Sequence, residues 1–148
     1  MVLAHEHFRT ELPGLHALKA RQQIRLDVLH MEGSYEQLFI YALIFTVAVE
    51  TAALFLCARV LFKMKAKDAP DALLLFCGVA LSFATLPYVW FVFPMFASGV
   101  AYIALAEAFA FAAEAVGYKL ILRVDWKRAA ALSFICNAAS FLLGLMVF

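Results

Sequence analysis

Apolar and polar positions alternate along this chain on the scale of whole segments rather than single residues. Four runs of about 20 mostly apolar residues, the length needed to cross a bilayer as a helix, occupy 38–62, 72–93, 97–122 and 129–148. The breaks between them are short. Lys63 to Asp71 separates the first two runs and Arg123 to Arg128 the last two. Pro94 to Gly99 separates the middle pair and carries no charge. Connections this short make sequence neighbours pack as antiparallel hairpins. The pattern therefore predicts an all-α, integral membrane four-helix bundle in one domain, 37–148, behind a polar N-terminal segment, 1–36.

Within that segment, residues 14–31 read as a weakly amphipathic helix. Leu15, Leu18, Ile24, Val28 and Leu29 share one face, with Arg21, Arg25 and Asp27 on another. Such a helix is expected to lie in the membrane interface or to dock another subunit. A turn is expected at Gly33-Ser34, with Ser34 capping the first span. No apolar core of a secretory leader precedes it, so the N-terminus is expected to be retained.

Composition agrees with the pattern: 66% of the 148 residues are hydrophobic and net charge is +1. A chain this small cannot hide so much apolar surface in a soluble core. The balanced charge gives no field for nucleic acid, and the basic residues flank apolar runs, as topology signals do. Loops one and three with their flanks hold Arg59, Lys63, Lys65, Lys67, Lys119, Arg123, Lys127 and Arg128. The N-terminal segment holds Arg9, Lys19, Arg21 and Arg25, and the middle loop none. That asymmetry places loops one and three in the cytoplasm, with both termini outside a cytoplasmic (inner) membrane.

The chemistry lies inside the spans. Glu50 falls near the middle of the first and Glu107 near the middle of the third. Glu114 follows Glu107 by seven residues, about 10 Å along the helix and on the same face. Asn137 is near the middle of the fourth, at the depth of Glu50 and Glu107. Each helix carries small or polar residues at three-four spacing: Thr46, Glu50 and Cys57; Gly78, Ser82 and Thr85; Glu107, Ala110, Glu114 and Gly117; Ser133, Asn137, Ser140 and Gly144. Small residues admit close approach and polar ones bond across helices. All four stripes are expected to face one interior, with Phe, Leu and Val toward lipid.

No Lys, Arg or His lies at matching depth. An ionised carboxylate at mid-membrane is costly, at least about 2–3 kcal/mol. At least one of the three is therefore expected to be protonated at neutral pH, donating a hydrogen bond to a neighbour such as Asn137. Two functions compete. The carboxylates bind and pass protons or a cation, with the chain acting as a homo-oligomer. Otherwise they join helices in a non-catalytic accessory subunit of a larger membrane complex.

Other features change little. Pro87 removes the donor for the carbonyl of Phe83, which Thr85 or a neighbouring helix is expected to offset. Tyr88, Trp90 and Trp126 read as interfacial anchors. Cys57, Cys77 and Cys136 read as buried apolar groups, without metal-ligand or disulfide spacing. The His5-x-His7 pair, with His16 and His30, is a weak metal signal and reads as a solvated terminus. The two hairpins resemble each other faintly, Cys77-Gly-Val-Ala-Leu-Ser82 matching Cys136-Asn-Ala-Ala-Ser140, as an old parallel duplication would. No intramembrane histidine, nucleotide loop, esterase elbow or zinc-protease motif is present. The sequence names no cofactor, no metal and no catalytic residue. An enzyme survives only as Glu107 and Glu114 acting as acid and base on a lipid.

Overall fold

A computed structural model describes residues 13–147, with side chains from residue 34 onward. Four helices form: α1 Pro13–Leu56, α2 Asp71–Pro87, α3 Gly99–Ile121 and α4 Trp126–Val147. Among the described residues four segments are long and apolar enough to cross a membrane: Ser34–Leu61, Asp71–Met95, Gly99–Ile121 and Trp126–Val147. Contacts divide the chain into two units, Met1–Leu38 and Phe39–Phe148. The site lies in the second.

Helix α1 passes through Gly33 and Ser34, where the sequence pattern places a turn and a cap. One glycine raises the cost of a helix by only about 1 kcal/mol, and the residues on both sides are mostly good helix formers. The amphipathic face expected over 14–31, and all four histidines, involve side chains outside the described residues.

The second unit is a closed bundle. Helix α3 packs on α2 and on α4. Helix α1 meets α2 at Thr51, where a Cβ added to Gly78 would lie 2.9 Å from the Thr51 Cα. Large apolar side chains cover the outside, including Leu75, Phe76, Leu120, Phe134 and Leu142, each more than two-fifths exposed. That surface suits lipid rather than water. The chain is a multi-pass membrane protein of the four-helix class.

The two ends differ. At the end bearing loops one and three, Leu54, Leu74, Cys77, Tyr118, Leu132 and Cys136 pack into a fully buried plug. All three cysteines are free and buried, as their apolar context predicts. The opposite end is held by aromatic contacts. Phe39 meets Phe91 edge-on at 4.8 Å, Phe109 meets Phe93 at 5.0 Å, and Tyr102 donates to the Val89 carbonyl at 3.1 Å. Trp90 packs edge-on against Phe39 at the same end. Trp126 is exposed at its helix end, with the Lys119 ammonium 5.9 Å from its ring.

Three local features escaped the sequence pattern. Helix α1 ends in a π-helical turn, Cys57–Leu61, and α2 continues past Pro87 into another, Tyr88–Val92. Such wide turns re-aim the residues around them. Thr85 directs its hydroxyl to the Leu81 carbonyl, the Ser82 carbonyl and Glu114, not to the Phe83 carbonyl beneath Pro87. Helix α4 begins at Trp126, so Lys127 and Arg128 belong to its first turn rather than to a loop. Asp125 makes this start: its carboxylate accepts the Arg128 N–H at 3.0 Å, as an N-cap does.

That hydrogen bond, to the charged form, holds the Asp125 carboxyl below its ordinary value of 3.8. A carboxyl depressed by folding stabilises the fold above the unfolded value and loses that effect as pH falls through the folded one. The protection factor of the amides at the start of α4, exchange measured against the intrinsic rate at each pH, is therefore expected to fall as pH drops below 3.8. Asp125→Asn, which still caps, should remove that pH dependence. Unchanged protection of the Arg128 amide in Asp125→Ala would show the cap to be idle.

Arg59 organises loop one. Its guanidinium donates to the carbonyls of Met64 at 2.9 Å and Ala69 at 2.7 Å, and pairs with Asp71. Ala69 is fully buried. Arg59→Leu leaves both carbonyls without that donor, and about 1–3 kcal/mol of stability should be lost. Arg59→Lys should recover only part, because one ammonium cannot span the same fork. Thermal unfolding in detergent measures both.

Candidate functional site: a hydrogen-bonded carboxylate layer

Just above the plug the four polar stripes converge. Glu50, Ser82, Thr85, Glu114, Ser133, Asn137 and Ser140 are all buried. Helical spacing puts each on the inner face of its helix, and the small residues beside them let the helices close.

Side chains from all four helices, with the Ser82 and Asn137 backbone carbonyls between them, join in a ring. Ser82 on α2 donates to Glu50 Oε2 at 2.6 Å, and Ser140 on α4 donates to Glu50 Oε1 at 2.7 Å. Thr85 on α2 lies 3.3 Å from Glu114 Oε1 on α3, and the Asn137 amide on α4 donates to Glu114 Oε2. Thr85 Oγ1 reaches the Ser82 carbonyl at 3.4 Å, and Ser140 Oγ the Asn137 carbonyl at 3.1 Å. Ser133 ties α4 to α3 by donating to the Phe111 carbonyl at 2.8 Å. Ser82 and Ser140, from different hairpins, both reach Glu50.

Every hydroxyl in contact with a carboxylate also has a backbone acceptor. Ser82 Oγ is 2.7 Å from the Gly78 carbonyl, and Thr85 Oγ1 is 3.0 Å from the Leu81 carbonyl. Ser140 has the Asn137 carbonyl. A hydroxyl carries one proton and can also accept. With Glu50 ionised, both serines donate to it. With Glu50 protonated at Oε2, its O–H donates to Ser82 Oγ and the serine proton turns to the Gly78 carbonyl. Thr85 can do the same for Glu114 through the Leu81 carbonyl. Rotation of a hydroxyl suffices, and no helix need move.

Among the described residues, the ion pairs are Arg59–Asp71 and Arg128–Asp125, both outside this layer. No described group of three His, Cys, Asp or Glu could hold a metal ion. The expected donation from a carboxyl to Asn137 takes a different form. The Asn137 amide is the donor, to Glu114 and also to the Ser133 carbonyl at 3.0 Å.

Glu107 stands apart from the ring. It is half-buried, and it lines a cavity of about 340 Å³ walled by residues of all four helices. The floor of this cavity is Thr85, Asn137 and Ser140, so it reaches the ring directly. Thr46, Trp90, Phe45 and Gly144 contribute to its walls. Glu107 also lines an outward groove of about 400 Å³ between α3 and α4, shared with Asn137 and Phe141. The sequence pairs Glu107 with Glu50 and Asn137 by depth. The structure bonds Glu114 to Asn137 and Glu50 to Ser140, and leaves Glu107 unbonded to the ring but beside Asn137 in both cavities.

Searches against protein-family models, curated proteins and solved structures found no match for the chain.

Proposed function

We propose that the chain is a small membrane transport or ion-coupling protein in which Glu50 and Glu114 bind and release protons. The observation carrying this reading is the paired choice of acceptor at every hydroxyl around them. A merely adhesive polar contact needs one satisfied arrangement. This layer has a satisfied arrangement for each protonation state. Buried ionisable groups in spans commonly mark proton pathways.

Protons reach the layer through the cavity, with Glu107 as the group on the approach, and load Glu114 beside Thr85 and Glu50 beside Ser82 and Ser140. The plug of Leu54, Leu74, Tyr118 and Leu132 closes the far side. Transport therefore requires a second state in which the plug opens and the cavity narrows. We place loops one and three in the cytoplasm from their positive charge, so the cavity faces outward in the present state. A homo-oligomer supplies the remaining walls, since four spans enclose little on their own.

The test is purified protein in liposomes carrying a trapped pH dye, with a potassium diffusion potential imposed. Inward proton flux above that of protein-free liposomes is the expected result. Infrared difference spectra should show carboxyl groups changing protonation as external pH is stepped. A chain that carries no flux, and whose carboxyl bands do not respond to pH, has a structural polar layer only. Recovery solely as a stoichiometric complex with a different membrane protein would favour the accessory-subunit reading.

A further inference from the structure

The plugged end carries a second concave feature that the carboxylate layer does not use. Loops one and three together line a pocket of about 570 Å³. Lys63, Lys65 and Lys67 enter it from one loop, Arg123 and Arg128 from the other. The acidic side chains in its wall are Asp68 and Asp125, and Asp125 is already committed to Arg128. Five basic groups against two acidic ones leave the pocket strongly positive. No described side chain pairs with Lys63, Lys65, Lys67 or Arg123.

Topology signals alone do not require this arrangement. Basic residues that orient a membrane protein need only be present in a loop; they need not converge. Here two of them also occupy left-handed backbone, Lys63 at φ 50° and Arg123 at φ 54°. That region disfavours residues with a Cβ and is usually left to glycine or asparagine. Each follows the end of a helical segment, so the same strained device presents one cation from each loop to the same cavity. Arg59 holds loop one in shape through the Met64 and Ala69 carbonyls. The cations are thus presented by an ordered frame.

The position says which anion fits. The pocket sits where the apolar exterior stops: Leu61 and Leu120 just beside it are 58% and 69% exposed, and Trp126 at the same level is 58% exposed. An acyl chain can lie along that exterior while its headgroup enters the pocket. Basic pockets between spans are suited to phosphate headgroups. We infer that loops one and three form a binding site for the phosphate headgroup of an anionic phospholipid.

The test is lipid binding to the purified full chain in detergent, followed by native mass spectrometry with phosphatidic acid, phosphatidylcholine and inorganic phosphate as probes. The double variant Lys63→Asn, Arg123→Asn removes two charges yet keeps a residue at ease in left-handed backbone, so the fold should survive. Thermal unfolding checks that it does. Phosphatidic acid is expected to bind well ahead of phosphatidylcholine, and the double variant to bind it roughly 30-fold more weakly. Lys119→Gln, which removes a nearby cation outside the pocket, should leave binding unchanged. Equal binding of the two lipids overturns the proposal. So does wild-type affinity in the double variant, or an equal loss in Lys119→Gln. Displacement by millimolar inorganic phosphate would overturn the lipid assignment in favour of a soluble phosphate compound.

Discussion

Glu114→Gln is expected to abolish proton flux in liposomes while leaving the bundle folded. Glutamine keeps the shape of the side chain. Its carbonyl can accept from Asn137 and its amide can donate to the Thr85 hydroxyl, whose proton then rests on the Leu81 carbonyl. Only the ability to gain and lose a proton disappears. Glu50→Gln is expected to behave in the same way, with its amide donating to one serine and its carbonyl accepting from the other. Glu114→Leu is a different experiment. It takes the acceptor from the Asn137 amide and the Thr85 hydroxyl, and about 1–3 kcal/mol of stability should go with it.

Serine substitutions separate relay from glue. Ser140→Ala removes the one side chain that touches both Glu50 and the Asn137 carbonyl. Flux should fall while melting changes little, because glutamate retains the Ser82 contact. Glu107→Gln should slow flux less than either ring substitution, since Glu107 lies on the approach and outside the ring. Undiminished flux in both Glu50→Gln and Glu114→Gln would sink the relay, whatever the stability measurements show.

The second large effect concerns Gly78. A Cβ placed there would lie 2.4 Å from Thr51 Oγ1, 3.0 Å from its Cβ and 2.9 Å from its Cα. The last of these is backbone, which cannot swing away, so α1 and α2 would have to separate. The same separation would strain the Ser82–Glu50 bond, which starts one turn further along α2. Gly78→Ala is expected to cost about 1–3 kcal/mol, the usual penalty for overpacking. Its flux should also fall, because the ring opens at Glu50. Gly117→Ala provides the contrast. There the added Cβ meets the tip of Leu81, 2.3 Å from Cδ2, and a leucine tip can change rotamer. Its effect should be clearly smaller. Melting temperatures in one detergent rank the two, and equal values would show that the α1–α2 contact is looser than the geometry implies.

Much of the architecture is legible in the amino-acid sequence. Long apolar runs can satisfy their backbone only as helices in lipid, so four spans and short connections follow from composition and length. The three-four spacing of Glu50, Ser82, Glu114, Asn137 and Ser140 is enough to place them on inner faces. The turn expected at Gly33-Ser34 does not form, because glycine weakens a helix without stopping it. The first turn of α4 is misplaced by the pattern because Lys127 and Arg128 look like loop residues until Asp125 is recognised as their cap. The π-helical turns after Leu56 and Pro87 leave no pattern in an apolar run.

Sequence alone determined the class: four apolar helices, a polar interior, carboxylates without cations at their depth, and basic loops at one end. These depend on periodicity and transfer energy, which are local or additive along a chain. Tertiary structure alone decided which carboxylates share a hydrogen-bond ring and which lines the approach. It also decided that lysines and arginines from two loops meet in one pocket. Those facts depend on how far each helix slides and rotates against its neighbours. A shift of two helical turns would pair Glu107 rather than Glu114 with Asn137, and the hydrophobic pattern would look no different.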